Sequence, residues 1–398
     1  MGIQCERMED EMNLSYILNE LGEDRENYFN AIAPPIVQTS NFRVNTVDAL
    51  KKLFEDEYSG FIYSRGLNPT VEILRKKLAA LDEAEDCLVF NSGAAAIFAA
   101  VLANVNQGDH IISVKDPYSW VKRMFDLIFS RFGVETTYIT GTEIAQFEKA
   151  LRPNSRFIYL ESPNSWNFSI QDISQTALFA KKHGIITLLD NSYCTPLYQK
   201  PIPMGIDISM QTATKYIGGH SDTLGGILTG SKKMMKKIFD CEYLAVGSGI
   251  QPFNAWLLIR GLRTLDTRLG RITATTKTVL NYLKMHPLVE SVLFPHDETF
   301  PQFELAHRQM KNAGGLISFF VKARNRQEIV HFCENLKHIM MAVSWGGHES
   351  LILPRCAGME DRAFDALNAE HRMLRLYVGL ESAEYLIQDL DQSFRLSF

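Results

Sequence analysis

The sequence lacks the features that would place it in a membrane or on an export route. Its longest apolar run, Ala94–Ala103, has the length of one buried helix and is far short of the roughly 20 residues that cross a bilayer. The first residues, MGIQCERMEDEMN, carry acids where a signal peptide needs an apolar stretch, and Glu6 stands where a myristoylation motif requires Ser or Thr. We therefore expect a cytoplasmic protein with no membrane partner.

Paired cysteines and an excess of positive charge are also missing. The six cysteines include no C-x-x-C pair, which predicts neither a disulfide framework nor a zinc site. His220 and His348 have no partners at metal-ligand spacing, so we expect no metal. The formal net charge of −5 gives no reason to expect a nucleic-acid partner. The cysteines are Cys5, Cys87, Cys194, Cys241, Cys333 and Cys356.

From about residue 70 the chain does show a regular pattern, in which short apolar runs alternate with helical segments. Asn68-Pro69-Thr70 has a capping residue followed by a first-turn proline, which predicts the start of a helix. The runs are apolar throughout, as expected of strands covered on both faces. The pattern predicts an α/β fold with a mostly parallel sheet and helices on both faces. The predicted strands are 87–90, 110–114, 136–139, 157–160, 185–190 and 207–210.

The pattern changes after about residue 254. A long helix is predicted from Ala255 to about Leu283, followed by a strand at 315–321, a helix near 327–338 and a strand around Arg375–Val378. We therefore predict three parts: an N-terminal arm at 1–60, a ligand-binding domain at 61–254 and a smaller α+β domain at 255–398.

Polar residues follow the predicted strands at their carboxyl ends, where α/β sheets bind ligands. Asp190 ends one strand, and Lys215 follows the next strand 25 positions later. Taken singly, Asp190 could cap a turn and Lys215 could be a solvated charge. Together they indicate imine chemistry with pyridoxal phosphate, in which the lysine binds the cofactor and the carboxylate keeps its pyridine nitrogen protonated. Gly93, before a predicted helix, could be a tight turn or part of a phosphate site.

Two segments carry a resemblance to a known family. DNSYCTP (190–196) and ATKYIGGHSD (213–222) resemble the signature of the Cys/Met-metabolism family of pyridoxal-phosphate enzymes, and the likeness extends from about Pro34 to Glu381. The resemblance implies the fold-type-I architecture of these enzymes, a small sulfur amino acid as substrate, and a homotetramer made of two catalytic dimers.

The resemblance also implies roles for individual residues around the cofactor. Lys215 matches the lysine that forms the imine, Asp190 the partner of the pyridine nitrogen, and Tyr118 the tyrosine that stacks on the ring. Tyr63 and Arg65 match residues that reach the neighbouring subunit's cofactor phosphate, and the resemblance makes Tyr63 and Tyr118 candidate catalytic residues beside Lys215. The matches to phosphate-binding residues are Ser92, Gly93, Ala94, Thr212 and Thr214.

For the substrate, Arg375 matches the arginine that binds the carboxylate, with Ser344 supporting it. Trp345 follows in the segment Ser-Trp-Gly-Gly, which is similar to bacterial cystathionine β-lyases and would narrow the far end of the pocket. Trp120 stands where methionine γ-lyases tend to carry a cysteine. In the family's E-S-P-S-N-P segment, Asn164-Ser165 replaces Ser-Asn. Either Asn164 takes over the contact of the family's asparagine near the cofactor, or the cofactor's O3′ side is held differently.

These features predict a carbon–sulfur lyase of the cystathionine β-lyase type. The alternative is a γ-replacing or γ-eliminating enzyme, namely a cystathionine γ-synthase, an O-acylhomoserine sulfhydrylase or a methionine γ-lyase. A non-catalytic member is a third, more remote alternative, which the presence of Lys215, Asp190, Tyr63 and Arg375 disfavours.

Overall fold

The computed structural model describes residues 13–398, so Cys5 and the predictions made for the first twelve residues lie outside it. The described chain forms two compact units. The first contains residues 13–162, 170–218 and 222–263, and the second contains 163–169, 219–221 and 264–398. The sequence-based division at 60/61 and 254/255 stays a prediction; residues 13–60 cluster with the first unit.

The first unit is built on a sheet that has seven strands within the described residues, in the order β1-β7-β6-β5-β4-β2-β3. Neighbours from β6 to β3 pair in parallel, whereas β7 is antiparallel to both β1 and β6. β7 is not among the strands predicted from the sequence, because a short run bounded by a glycine at each end is weak as a strand pattern. The strands are β1 Asp86–Phe90, β2 His110–Val114, β3 Glu135–Ile139, β4 Ser155–Glu161, β5 Ile186–Asp190, β6 Ile208–Thr212 and β7 Gly226–Gly230.

Helices pack on this sheet through apolar side chains. The core joins strand residues such as Ile158 and Leu188 to helix residues such as Ile97, Ala177 and Ile238. The predicted helix start is confirmed, because the Asn68 side chain accepts the Thr70 N–H at 3.0 Å and Pro69 begins the helix. The α-helices of this unit are Leu14–Asn19, Val47–Glu55, Pro69–Leu81, Gly93–Leu102, Ser119–Arg123, Ile144–Ala150, Ile173–His183, Thr195–Tyr198, Lys232–Ile238, Leu244–Val246 and Pro252–Leu262.

The second unit contains a smaller sheet, in the order β10-β11-β12-β9-β8. The strands are β8 Val289–Leu293, β9 Leu316–Val321, β10 Met340–Met341, β11 Leu351–Pro354 and β12 Met373–Tyr377. The α-helices are Leu265–Met285, Phe303–Gln309, Arg326–Asn335 and Ala383–Ser397. This mixture of strands and helices confirms the predicted α+β character of the smaller part.

The single long helix predicted from Ala255 to about Leu283 is wrong. The chain forms two helices there, Pro252–Leu262 and Leu265–Met285, with Thr264 between them at φ −111° and ψ 9°. Apolar residues keep a helical spacing across the break, so periodicity alone does not reveal it.

Across residues 13–398, no helix combines the length and apolar character needed to cross a membrane.

Candidate active site

The carboxyl ends of three parallel strands bring several predicted site residues to one edge of the larger sheet. Glu161, at the end of β4, lies opposite Asp190 in β5, and Asp190 lies opposite Met210 in β6. Thr212 ends β6, and Lys215 follows in the turn after it. Parallel strands therefore collect residues that are far apart in sequence at a single edge, as ligand sites of this fold require.

Asp190 is a buried carboxylate with a raised pKa. Its side chain is 8% exposed and accepts the Ser192 backbone N–H at 2.9 Å. Burial raises the pKa of Asp190; the hydrogen bonds from Ser192 and the positive charge of Lys215 lower it only in part. Since a buried carboxylate is costly unless a cation faces it, this position suits a partner that carries a proton on a ring nitrogen.

A helix N-terminus and two threonines form a cradle of small and hydroxyl groups. Ser92 caps the helix Gly93–Leu102 by accepting the Ala95 N–H at 3.2 Å. A Cβ atom added at Gly93 would lie 3.0 Å from the Thr212 Cβ and 2.9 Å from the Met210 Cε, so the close approach of helix and strand requires glycine. First-turn N–H groups have no acceptor inside their own helix, and the positive end of the helix dipole favours an anion there.

Thr212 and Thr214 are held on the same side of the turn. Their hydroxyls lie 3.2 and 3.4 Å from the Gly225 carbonyl oxygen, to which they donate. The Thr212 N–H in turn donates to the Ser192 hydroxyl at 2.7 Å. Ser192 thus links the Asp190 carboxylate to the end of β6, a connection that the sequence analysis did not identify.

The backbone of Tyr118 is held by Glu161, a residue to which no role was assigned from the sequence. Its N–H donates to the Glu161 Oε2 at 2.6 Å, and Glu161 is only 5% exposed. Burial raises the pKa of the Tyr118 phenol, and the negative charges of Asp190 and Glu161 raise it further. The available signal in the sequence was that Glu161 directly follows the predicted strand 157–160 while Asp190 ends the predicted strand 185–190, and a parallel register sets the two side by side.

Tyr63 and Arg65 lie on an exposed stretch of the first unit. The Arg65 guanidinium is 5.6 Å from the centre of the Tyr63 ring, and both side chains are exposed. Ser64 and Asn68 anchor this stretch through hydrogen bonds to the backbone carbonyls of Thr39 and Val37. The positions of Tyr63 and Arg65 leave both side chains accessible from outside the chain.

In the second unit, Arg375 lies on the central strand β12 and is 7% exposed. All five residues of β12 are buried, so the strand has no solvent-covered face. The Arg375 Nη1 donates to the Ser165 carbonyl oxygen at 3.2 Å, and its guanidinium lies 4.7 Å from the centre of the Trp166 ring. A buried guanidinium held in this way is suited to binding a carboxylate.

Ser344 and Trp345 also belong to the second unit. Ser344 has a left-handed backbone (φ 79°), a conformation that is uncommon for a residue with a side chain and recurs at functional sites. Trp345 is 7% exposed. At Gly347 an added Cβ would lie 2.1 Å from the Ser221 Oγ, so a larger residue there would require the Ser221 and Glu349 side chains to move.

The exchanged pair Asn164-Ser165 has a clear structural consequence. The Asn164 Oδ1 accepts the backbone N–H groups of Trp166 at 2.9 Å and of Asn167 at 3.3 Å. Asn164 therefore uses its amide oxygen to form its own turn, and the carbonyl of Ser165 is the group that meets Arg375.

The residues of the first unit fit the predicted cofactor. Its phosphate matches the cradle at Ser92, Gly93 and Thr212, and the raised pKa of buried Asp190 matches a ring nitrogen that carries a proton. Lys215 lies close enough for its charge to act on Asp190. Within residues 13–398, no three or more His, Cys, Asp or Glu side chains form a group that could hold a metal ion.

Comparisons with known proteins indicate the same cofactor. The model of the family described as "Cys/Met metabolism PLP-dependent enzyme" matches residues 17–395. An L-methionine gamma-lyase of Treponema denticola is 36% identical over 92% of this chain and 93% of its own. A cystathionine gamma-lyase of Bacillus subtilis is 34% identical over 91% of this chain and 94% of its own. The crystal structure of metB from Corynebacterium glutamicum superimposes with a TM-score of 0.88 at 30% identity, covering 96% of this chain and 98% of that one.

Proposed function

This chain belongs to the Cys/Met metabolism family of pyridoxal-phosphate-dependent enzymes; from its similarity to relatives named gamma-lyase, we propose that it cleaves the Cγ–S bond of a sulfur amino acid. The chain has the fold of these enzymes, uses pyridoxal phosphate and is a carbon–sulfur lyase acting on small sulfur amino acids. The proposal concerns the position of the bond that breaks.

The observation that supports γ-cleavage is similarity over nearly the full length to enzymes named for it. Relatives named L-methionine gamma-lyase or cystathionine gamma-lyase are 34–36% identical over at least 91% of this chain. This favours the γ-eliminating alternative of the sequence analysis over the cystathionine β-lyase type. Trp120 disfavoured a methionine γ-lyase on sequence grounds, because those enzymes tend to carry a cysteine at this position. In the structure Trp120 is 55% exposed.

In the proposed reaction the cofactor, when bound, would supply an electron sink. The Lys215 amine would hold the cofactor and then move protons between the substrate's carbon atoms. Asp190 would keep the pyridine nitrogen protonated, and Tyr118 would stack on the ring. The cradle of Ser92, Gly93, Ala94, Thr212 and Thr214 holds the phosphate. Arg375, with Ser344, holds the substrate carboxylate, and Trp345 bounds the side-chain end of the pocket.

Products of cystathionine distinguish the two bonds. Both cleavages consume one water. Cleavage at Cγ yields cysteine, 2-oxobutyrate and ammonia, whereas cleavage at Cβ yields homocysteine, pyruvate and ammonia. We expect 2-oxobutyrate as the main keto acid from the purified enzyme, measured by chromatography after derivatisation. Pyruvate as the main product would contradict the proposal and return the assignment to a β-lyase.

Trp345 keeps β-cleavage as a second candidate, because it gives this chain the Ser-Trp-Gly-Gly segment similar to bacterial β-lyases. If the indole selects the bond, Trp345→Leu will change the ratio of pyruvate to 2-oxobutyrate. If it only packs, since it is 7% exposed, the same change will lower the melting temperature and leave the ratio unaltered.

We also propose that the enzyme is a homotetramer made of two catalytic dimers, in which Tyr63 and Arg65 act on the partner's cofactor phosphate. Exposed Tyr63 and Arg65 side chains support this arrangement, because they are accessible to a second copy of the chain.

A further inference from the structure

The loop 163–169 of the second unit carries Trp166, whose ring lies against two arginine side chains. Trp166 stands within the segment Asn164-Ser165-Trp166, where this chain departs from the family's E-S-P-S-N-P pattern. Two guanidinium groups lie over its ring, that of Arg375 at 4.7 Å and that of Arg355 at 4.8 Å from the ring centre. Both distances fall within the roughly 6 Å at which a cation over an aromatic face is attracted to it, so the indole contributes to holding both guanidinium groups in place.

The backbone around Trp166 is fixed from both sides. Its N–H donates to the Asn164 Oδ1 at 2.9 Å, and its carbonyl accepts the Ser318 hydroxyl at 2.6 Å. Ser318 lies on β9 directly opposite Arg375 in the strand register. The indole and the guanidinium are therefore attached to the same pair of neighbouring strands, which restricts their relative movement.

Arg375 is restrained at two points of its guanidinium. One nitrogen is bound to the Ser165 carbonyl, and the plane lies over the Trp166 ring. A guanidinium has five N–H donors, and a contact with a ring face uses none of them. The stack therefore orients the group without using the edge N–H donors, which are the groups that bind a carboxylate bidentately.

We propose that Trp166 is a positioning residue that orients Arg375 for the substrate α-carboxylate. The Ser165 carbonyl and the indole face together take over, in this chain, the task of holding the carboxylate-binding arginine. The inference rests on the proposed role of Arg375 in binding the carboxylate and is independent of whether the Cβ–S or the Cγ–S bond breaks.

The test isolates the carboxylate from the rest of the substrate. The holoenzyme is titrated calorimetrically with L-alanine and with ethylamine, which is the same amine without the carboxylate. The dissociation constant of ethylamine divided by that of L-alanine measures recognition of the carboxylate. Trp166→Leu is expected to reduce this ratio about 3- to 30-fold, the range for an exposed to desolvated cation–π contact, and to leave ethylamine binding unchanged. Trp166→Phe, which keeps a smaller aromatic face, is expected to fall between wild type and Trp166→Leu.

Two controls separate positioning from loosening of the loop and from failure of the proposed function. Asn167→Ala removes an exposed turn bond to the Ser169 N–H (2.9 Å) without touching the ring, and should keep the wild-type ratio. Equal losses in Asn167→Ala and Trp166→Leu, or an unchanged ratio in Trp166→Leu, would overturn the inference. Arg375→Gln tests the proposed role of Arg375 itself: if that variant keeps the wild-type ratio, the carboxylate role is wrong, whereas loss there with no effect of Trp166→Leu overturns only the positioning role.

Discussion

At the scale of single residues, the buried carboxylate of Glu161 shows how a backbone contact can set the chemistry of a side chain. It accepts the Tyr118 N–H and lies close enough for its charge to raise the pKa of the phenol, after the larger effect of burial. Together with Asp190, it keeps the phenol in its neutral form to higher pH. Tyr118 can then offer a proton over a wider pH range.

Glu161→Gln is expected to lower the pKa of Tyr118, because it removes a negative charge and keeps an oxygen acceptor for the backbone N–H. If Tyr118 acts in its protonated form, the basic limb of the pH profile of kcat/KM will move to lower pH. Asp116→Asn, at an exposed carboxylate two residues before Tyr118, provides the control and should leave the limb in place. A limb that stays fixed in Glu161→Gln, or moves to higher pH, would exclude this influence on Tyr118.

Lys215 carries the other residue-scale prediction. Lys215→Ala should yield a folded protein, since the lysine is only half-buried, but one that loses the visible absorbance of covalently held cofactor. Turnover of cystathionine should fall by at least about 10²- to 10⁴-fold, the usual contribution of a proton-transferring side chain. Circular dichroism checks the fold and absorbance spectroscopy the cofactor. Near-normal turnover in this variant would remove the assignment of Lys215.

At the scale of elements, His110 links the start of β2 to both of its neighbours. Its ring nitrogens lie 2.8 Å from the Ser155 hydroxyl on β4 and 2.8 Å from the Thr137 hydroxyl on β3. Burial lowers the pKa of His110 to about 4, and the nearby charge of Arg152 contributes. Because the unfolded chain has the ordinary value near 6.5, it takes up the proton first as the pH falls, and this group destabilises the fold between pH 6.5 and 4.

His110→Leu is expected to lower the melting temperature by a few degrees at pH 7.5, because two hydroxyls lose a partner at a cost of about 1–3 kcal/mol. The gap to wild type should narrow at pH 4.5, where the wild-type histidine contributes its penalty and leucine does not. Calorimetric melting at both pH values measures this. Exposed His331, replaced in the same way, should leave the melting temperature nearly unchanged at both. A gap that widens at pH 4.5 would contradict the burial of a neutral His110.

At the scale of the whole molecule, the proposed catalytic dimer predicts complementation between two inactive variants. A two-fold dimer places the same surface of each copy against the other, so an arginine exposed on one copy can serve the site of its partner. Arg65 is exposed, and its guanidinium lies 5.6 Å from the centre of the Tyr63 ring of its own chain. Arg65→Ala and Lys215→Ala each remove one component from such a shared site.

Mixing the two variants after dissociation should restore activity to about a quarter of the wild-type level. Random pairing makes half of the dimers mixed, and one of the two sites in each mixed dimer then has both components intact. Activity per active-site equivalent, measured before and after reassembly, gives the result. Size-exclusion chromatography of the same samples verifies that dimers or tetramers have formed. Reassembled mixtures without activity would show that Arg65 does not act across subunits.

The sequence by itself determined the family, the cofactor and most of the larger sheet. Six of the strands, the strand end at Asp190, the placement of Lys215 just after a strand and the cap at Asn68 follow from local patterns. Capping, apolar runs and strand-end motifs are contained in short stretches of chain. The preference for β-cleavage came from the segment around Trp345 and from Trp120. Similarity over nearly the whole chain to named γ-lyases weighs more than those two positions.

Only the tertiary structure decided the contacts that join distant segments. Ser165 and Arg375 meet although they are 210 positions apart, and Glu161 reaches the N–H of Tyr118, 43 positions earlier. β7 depends on its neighbours β1 and β6 rather than on its own glycine-bounded sequence. Such pairings depend on which segments the fold brings together, and a pattern with a period of two or 3.6 residues carries no information about a partner so far along the chain.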